Sequence, residues 1–321
     1  MTPRPLVATA GLAVVMAVAL AGAAVVDRTP APASRPAAFG AGPVPAGTPQ
    51  TDGWAAVADL GPGLRRDSTN ACERGDDGCL DLVLAEMEAR LEAQGCAHTA
   101  PFAFTYLEMT RGVRDAVLEP GTFAEPPVNA HADAVFARYY FEAVDNWDAG
   151  RIDDVAGAWR IAFGAAASGR TNAATDLLLG INAHISRDLP YVVAGIPEWQ
   201  RDVDLEHSDF DTINDVIADV KGPMLREAAA RFDPTLALLD LPLPALAAAD
   251  STELIGRWRD QALERGIRLS QATSDPAREA VEAEIEREAM ATAVLLLNTG
   301  TTAPGPLSPA DRDGYCEAQR H

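Results

Sequence analysis

The chain has 321 residues, a formal net charge of −21 at pH 7 and only 6% aromatic residues. Such an acidic surface repels phosphate groups and argues against a nucleic-acid partner. Abundant alanine, leucine, glutamate and arginine favour helices, and strand-like runs are nearly absent after residue 50. We therefore expect an all-α fold, a single orthogonal or bundle-like domain of about eight or nine helices, over residues 53–321.

The first 26 residues have the features of an export segment. Arg4 gives a positive start, and Leu6–Val26 carries no charge. Small-x-small triplets between Ala19 and Ala23 fit signal cleavage, although roughly 20 apolar residues also suffice for an uncleaved membrane anchor. Residues 27–52, rich in proline and alanine, are expected to form a linker. Either interpretation predicts an extracytoplasmic domain, secreted or anchored to the outer face of the membrane, which contacts the membrane only through an uncleaved segment.

Four cysteines in an exported chain favour two disulfides, for which three pairings are possible. Cys72 and Cys79 make the local pair, because the intervening ERGDDG is a turn-forming sequence. The remaining pair, Cys96 and Cys316, would join the C-terminal tail to the first helical hairpin. A zinc site is the alternative, although the spacings match no finger or ribbon pattern.

Apolar residues at helical spacing, bounded by glycine, proline and capping residues, predict the helices. In chain order they span 79–94, 102–119, 128–148, 159–167, 172–189, 204–220, a shorter helix reaching 232, then 251–271 and 275–297. Pro190 is expected to end the fifth helix, and Gly222-Pro223 to interrupt the sixth. The tail from Thr299 is expected to be irregular.

Two polar pairs carry the candidate chemistry. His184 and Asp188, like His207 and Asp211, are four residues apart and so share a helix face. The first pair lies on a helix that is apolar nearly all round, so it should face the interior, with Gly180 leaving its face open. Two imidazoles and two carboxylates on facing antiparallel helices would bind zinc, iron or manganese. The alternative is that each histidine simply hydrogen-bonds its aspartate in a structural role.

Other polar residues lie on stripes that extend these pairs. Asn214 follows His207 and Asp211 on the same helix face and is expected to support the ion's ligands. A second stripe, on the helix at 128–148, contains His131, Arg138, Glu142 and Asp145. This stripe would wall the same pocket, with Arg138 steadying an anionic substrate, or would form a solvated charged face.

The segments LLGINAHISRDLP and HSDFDTIND, preceded by ADAVFARYYFEAVDNW and AWRIAF, resemble an uncharacterised bacterial family, a domain of unknown function. The resemblance covers roughly residues 100–300 and leaves the leader and the cysteines outside. It implies a helical domain without an established activity.

The layout of the two pairs, about two dozen residues apart, is also distantly similar to that of zinc-dependent phospholipase C and the related single-strand nucleases. Those are all-α proteins whose metals lie between helices. The further histidine of that family is replaced here by Val192, Val193 and Ala194, and its metal-binding N-terminal residue has no evident counterpart. The similarity therefore implies one or two metals rather than a trinuclear cluster.

Two functional hypotheses follow from these patterns. The first is a metal-dependent hydrolase, acting on phosphoesters, in which a metal-bound water attacks the substrate. The second is a non-catalytic exported protein that holds an apolar or lipid-like ligand between helices, or a partner protein. Under the second hypothesis the same polar residues form a structural hydrogen-bond network. The sequence assigns no catalytic residue.

Overall fold

The computed structural model describes residues 57, 60–61, 63–201, 208–241, 248, 250–302 and 309–320. Within these residues the fold is all-α, as predicted, and contains no β-strand. The export segment, the linker at 27–52 and His207 lie outside the described residues.

Twelve α-helices occupy the described part of the chain. This is more than the eight or nine expected, because several short helices carry weak apolar patterns. The helices are α1 (Ala71–Arg74), α2 (Gly78–Gln94), α3 (Ala100–Leu118), α4 (Pro126–Asp148), α5 (Gly157–Ser168), α6 (Ala173–Asn182), α7 (Leu189–Gly195), α8 (Pro197–Arg201), α9 (Asp209–Arg231), α10 (Ser251–Ser270), α11 (Asp275–Thr302) and α12 (Pro309–Gln319). A six-residue π-helical segment, Ala183–Asp188, joins α6 to α7, and 3₁₀ helices span Ile152–Asp154 and Pro234–Asp240.

Two prolines do not end helices where the sequence predicted. Pro190 lies in the first turn of α7, where a missing N–H leaves no intrahelical bond unmade. The π segment makes this possible because its hydrogen bond from the N–H of Leu189 to the carbonyl of His184 ends the π pattern just before Pro190. Pro223 lies inside the uninterrupted α9. An interior proline costs about 3 kcal/mol, which the packing of α9 against α3 and the 3₁₀ helix at 234–240 must offset.

The C-terminal tail is also more ordered than predicted. Helix α11 continues to Thr302, and α12 follows at Pro309–Gln319. Arg312 on α12 is fully buried and donates to the backbone carbonyls of Cys96 and Ala97 at 2.6 and 3.1 Å. These bonds fix α12 against the turn between α2 and α3, so the tail folds through a distant partner that local sequence does not reveal.

Both disulfides have the predicted pairing. Cys72 is bonded to Cys79, seven residues away, and Cys96 is bonded to Cys316, 220 residues away. Two such bridges indicate an oxidising environment. No helix in the described part of the chain combines the length and apolar character needed to cross a membrane.

The centre of the domain is built where α3, α4, α6, α9 and α10 meet. Helix α3 packs against α2, α4, α6 and α9, while α10 packs against α7 and the π segment. One glycine sets the closest of these approaches: a Cβ at Gly266 would lie 2.5 Å from the side chain of Val193. Because Gly266 has no side chain, α7 and α10 can pack against each other at short distance.

We expect the long-range disulfide to contribute more stability than the local one. In the chain-entropy account, removing Cys96–Cys316 with two serines should lower the free energy of unfolding by about 5 kcal/mol, and removing Cys72–Cys79 by about 2 kcal/mol, because the first closes a much longer loop. Urea unfolding of the two double-serine variants measures both losses. A loss from the Cys96–Cys316 variant no greater than that from the Cys72–Cys79 variant would contradict this.

Candidate functional site

A buried carboxylate, Asp188, ends the π segment and accepts hydrogen bonds from three different side chains. Its Oδ2 lies 2.8 Å from Nε1 of Trp159 and 3.2 Å from Nδ1 of His184. Its Oδ1 lies 2.9 Å from Nη1 of Arg187. Because Asp188 is 0% exposed, these donors are what stabilise its charge in the interior.

The π-helical backbone places His184 and Asp188 together at the end of α6. The N–H of Leu189 donates to the carbonyl of His184, five residues back. Short π segments inside helices are frequent at functional sites, because the extra residue redirects side chains locally. Both side chains are buried, as the sequence predicted. The backbone that carries them is π-helical, whereas a regular α-helix was predicted there.

Aromatic rings enclose the imidazole of His184, which is 3% exposed. The ring of Phe136 stacks on it with a centroid separation of 3.4 Å, and Tyr106 packs edge-on at 4.5 Å. This burial lowers the pKa of His184, and the bond to Asp188 offsets the effect only in part. We assign a neutral imidazole whose Nδ1–H donates to Asp188, which leaves Nε2 as a hydrogen-bond acceptor.

Gly180 does not leave this face open as the sequence suggested. The side chain of Phe102 fills the space, since a Cβ at residue 180 would lie 2.6 Å from its ring. The ring of Phe102 in turn contacts those of Trp159 and Tyr140 at centroid distances of 5.5 and 5.1 Å. The glycine therefore serves close packing of α3 on α6 beside the His184–Asp188 pair.

An interior cavity of about 120 Å³ opens beside His184. Its walls are mostly apolar and come from several helices. The apolar lining residues are Phe102, Met109 and Val113 of α3; Ala132 and Phe136 of α4; Leu177, Leu178, Ile181, Ile185 and Leu189 of the α6–α7 run; Ile213, Ile217, Met224 and Leu225 of α9; Ile255 of α10; and Trp199 and Leu239.

Three polar atoms at this cavity are buried without a hydrogen-bond partner among the described residues: Nε2 of His184, Oδ2 of Asp133 and the hydroxyl of Tyr106. The Tyr106 hydroxyl lies near that of Thr110 but does not meet hydrogen-bond geometry with it. Buried polar atoms are nearly always paired, so each unpaired one calls for an explanation. Together they give the cavity an acceptor and two candidate donors.

Burial sets the protonation of the two candidate donors. It raises the pKa of Asp133 to about 7. It also raises the pKa of Tyr106 well above its usual value, and the nearby charge of Asp133 adds to that rise. Below pH 7 both groups therefore carry a proton. A ligand in the cavity would meet two O–H donors and one imidazole acceptor in apolar surroundings.

A further cluster of polar side chains borders the cavity on α4, α9 and α10. Asn129 donates to Asp209 at 2.7 Å and accepts from Nε1 of Trp199 at 3.2 Å. Lys221 forms ion pairs with Asp240 and Asp250 at 2.9 and 3.1 Å. These bonds satisfy Asn129 and Lys221 within the protein. Arg259 is the remaining cation of the lining, and its hydrogen-bond partners are the side-chain amide of Asn214 and the backbone carbonyl of Phe210.

The structure describes three of the four residues that the sequence placed in one metal site. His184 and Asp188 are together and buried, whereas Asp211 is exposed on α9. Asn214 accepts a hydrogen bond from Nε of Arg259 at 2.6 Å, and His207 lies outside the described residues. The predicted meeting of all four ligands across one helix contact therefore stays a prediction.

The predicted polar stripe on α4 does not line the cavity. Nδ1 of His131 bonds the carbonyl of Cys72 at 2.8 Å. Arg138 bonds the carbonyl of Leu60 and lies 3.3 Å from Glu142. Asp145 pairs with Arg90 at 2.7 Å. The face of α4 that borders the cavity carries Asn129, Ala132, Asp133 and Phe136 instead.

The described donors do not fit a metal ion. Nδ1 of His184 is engaged by Asp188, and both oxygens of Asp188 already accept protein hydrogen bonds. Nε2 of His184 is available, but one imidazole nitrogen is not a metal site. Among the described residues no group of three or more His, Cys, Asp or Glu side chains is arranged to hold a metal.

Sequence reasoning missed Asp133, Tyr106 and Arg259. Asp133 lies in ADAVFARYY, where it shares a helix face with Phe136 and Tyr140 at three- and seven-residue spacing. A lone carboxylate on an aromatic face is a signal that could have identified it. Arg259 and Tyr106 stand in ordinary helical patterns, and only the tertiary structure brings them to the cavity.

A family model described as "Family of unknown function (DUF5995)" matches residues 80–299. The match begins earlier than the resemblance seen in the sequence and so includes Cys96. No curated protein and no solved structure matches the chain.

The pKa of Asp133 predicts a pH-dependent stability difference. An aspartate has a pKa near 3.9 when unfolded, so a folded value of about 7 means that the folded state holds its proton more tightly between those values. The contribution of Asp133 to stability is complete below pH 4 and is lost as pH rises toward 7. Asp133→Asn removes this dependence. As pH rises from 4.5 to 7, the free energy of unfolding of the variant should therefore increase relative to that of wild type by an amount on the order of a few kcal/mol.

Urea unfolding at intervals from pH 4.5 to 7.5 measures that difference. Groups shared by both proteins cancel, including His184, whose lowered pKa acts in the opposite direction below pH 6.5. Asp219→Asn, which alters an exposed carboxylate on α9, is the matched control. A constant difference between Asp133→Asn and wild type across this range would refute the assignment.

Proposed function

This chain belongs to a protein family of unknown function, DUF5995, and we propose that it is a helical binding protein that holds a small, largely apolar ligand in its central cavity. The observation that carries the proposal is the combination of apolar walls with three buried, unpaired polar atoms. Ligand sites in proteins commonly combine apolar walls with a few placed polar groups.

The polar groups give the proposed ligand a defined orientation. The Nε2 acceptor of His184 is held in place because Asp188 fixes Nδ1 and Phe136 fixes the ring plane. A hydroxyl or N–H of the ligand would donate to Nε2, and a carbonyl would accept from Tyr106 or protonated Asp133. Each bond would satisfy an atom that otherwise remains unpaired in a buried place, which is worth about 1–3 kcal/mol.

The cavity volume limits the size of the ligand. An apolar cavity of about 150 Å³ in another protein accepts benzene, and the cavity here has about 120 Å³. A single aromatic ring or a chain of about six carbons is therefore the natural size. A longer lipid-like chain would require the helices around the cavity to separate.

Metal-dependent hydrolysis of phosphoesters stays a separate proposal that rests on the sequence pattern. It requires His207 to approach Nε2 of His184, and Asp188 to exchange its present donors for an ion. Elemental analysis of purified protein tests it: zinc, iron or manganese at one ion per chain supports it, and their absence after growth in metal-supplemented medium opposes it.

The proposal also includes an extracytoplasmic location. The two disulfides support an oxidising compartment, and the apolar stretch within residues 1–26 supplies the export signal. In that location a buried cavity would protect an apolar compound from water. Export can be tested by fractionating cells that express the full chain.

A neutral probe tests the binding proposal directly. We expect benzyl alcohol and 1-hexanol to bind the wild-type protein and to shift the NMR signals of cavity-lining methyl groups such as those of Ile217. Leu239→Trp should weaken binding at least tenfold, equivalent to about 1.4 kcal/mol, because Leu239 lines the cavity. Leu238→Trp is the matched control, since the neighbouring Leu238 is 49% exposed and its replacement should leave binding unchanged.

A second variant that fills the cavity keeps the test decisive if Leu239→Trp fails to fold. Ile217→Phe adds volume at another wall of the cavity and should also weaken binding, with the helical CD signal confirming the fold. Failure of both alcohols to bind wild type, or equal binding by wild type and folded filling variants, would overturn the proposal.

A further inference from the structure

Arg259 is a buried cation that lines the same cavity. Its side chain lies on α10, one and two helical turns beyond Ile255 and Ser251, which line the cavity with it. Arg259 is 4% exposed, so water does little to stabilise its charge.

The hydrogen-bond partners of Arg259 are both neutral. Nε donates to Oδ1 of Asn214 at 2.6 Å, and Nη2 donates to the carbonyl of Phe210 at 2.7 Å. The guanidinium also stacks on the ring of Phe210, 4.3 Å from its centroid. Nη1 makes no hydrogen bond with the described residues, and none of their carboxylates lies within ion-pair distance. Burial lowers the pKa of Arg259 to about 10, and the more distant charges of Asp211 and Asp260 offset this lowering only in part.

The other buried cations of the described chain differ in this respect. Lys221 pairs with Asp240 and Asp250, Arg265 pairs with Glu288, and Arg312 pairs with Asp313. Buried charges in proteins are ordinarily paired, because an isolated charge is expensive to remove from water. Arg259 is thus a buried cation beside the cavity, and its Nη1 group remains available to donate hydrogen bonds.

We propose that the ligand is an apolar monocarboxylate, whose carboxylate binds Arg259 while its apolar body occupies the cavity. This inference rests on the proposed binding function and adds its ligand class. A single negative charge matches a single buried guanidinium, whereas a phosphate would bring about two charges at neutral pH. The apolar body would lie against Ile255, Ile213 and Ile217, which share the lining with Arg259.

The geometry also separates the roles of the two polar regions. Arg259 supplies charge, and arginine is well suited to carboxylates because its donors lie in one plane. His184, Tyr106 and Asp133 supply neutral hydrogen bonds. A short fatty acid would use Arg259 alone, and a hydroxylated or carbonyl-bearing acid would use both regions.

The test compares matched acids and alcohols on the intact protein. Benzoate and hexanoate are titrated beside benzyl alcohol and 1-hexanol by calorimetry and by NMR of the arginine Nε–H signals. The titrations are run at about pH 6, where the acids are ionised and Asp133, with its pKa of about 7, keeps its proton. We expect each acid to bind wild type at least tenfold more tightly than its alcohol. Arg259→Gln should remove that preference and retain alcohol binding, whereas Arg265→Gln, which changes a paired arginine on the same helix, should retain the preference.

A second variant covers the case in which Arg259→Gln fails to fold. Asn214→Asp places a carboxylate at the present partner of Arg259 and should reduce acid binding at least tenfold without weakening alcohol binding. If the alcohols bind and the acids bind no more tightly, or if Arg259→Gln or Asn214→Asp leaves the acid preference intact, the carboxylate proposal is wrong while the binding function stands. If neither acids nor alcohols bind wild type, both fail.

Discussion

The carboxylate of Asp188 is the constraint on which the centre of this protein depends. It is fully buried and accepts from Trp159 of α5, from His184 and from Arg187, so one side chain joins α5 to the π segment. Arg187 extends the network to α11 through Glu286 at 2.8 Å. Because removal of one member would leave the others buried and unpaired, we expect the group to act as a unit. The orientation of His184, and with it the polar side of the cavity, follows from this arrangement.

The cavity itself follows from how the helices around that network pack. Phe102 occupies the space above Gly180, and Phe136 stacks on His184, so the aromatic rings support the imidazole on two sides and leave Nε2 at the cavity. On another wall, Arg259 is held by Asn214 and Phe210 without a carboxylate. Apolar walls, neutral hydrogen-bonding groups and one cation without an ion-pair partner are the features on which the proposed binding of a small apolar acid rests.

Much of the fold was predictable from the sequence, because helical periodicity and capping are local properties. The interior position of His184 and Asp188 followed from an apolar helix, and the disulfide pairing from a turn sequence. The π segment, the continuation of α9 through Pro223 and the ordering of α12 were not predictable, because each depends on partners distant in sequence. The cavity was missed for the same reason: Asp133, Tyr106 and Arg259 lie on three helices that only tertiary packing brings together.

The most direct test of this account is a crystal structure of the protein soaked with 4-bromobenzoate, located by the anomalous signal of bromine. We expect a bromine peak inside the cavity among Phe136, Ile217 and Ile255, with the carboxylate at hydrogen-bond distance from Nη1 of Arg259. Bromine found only on the protein surface at saturating soak, with the side chains of the cavity unchanged, would contradict the claim that this cavity is a binding site.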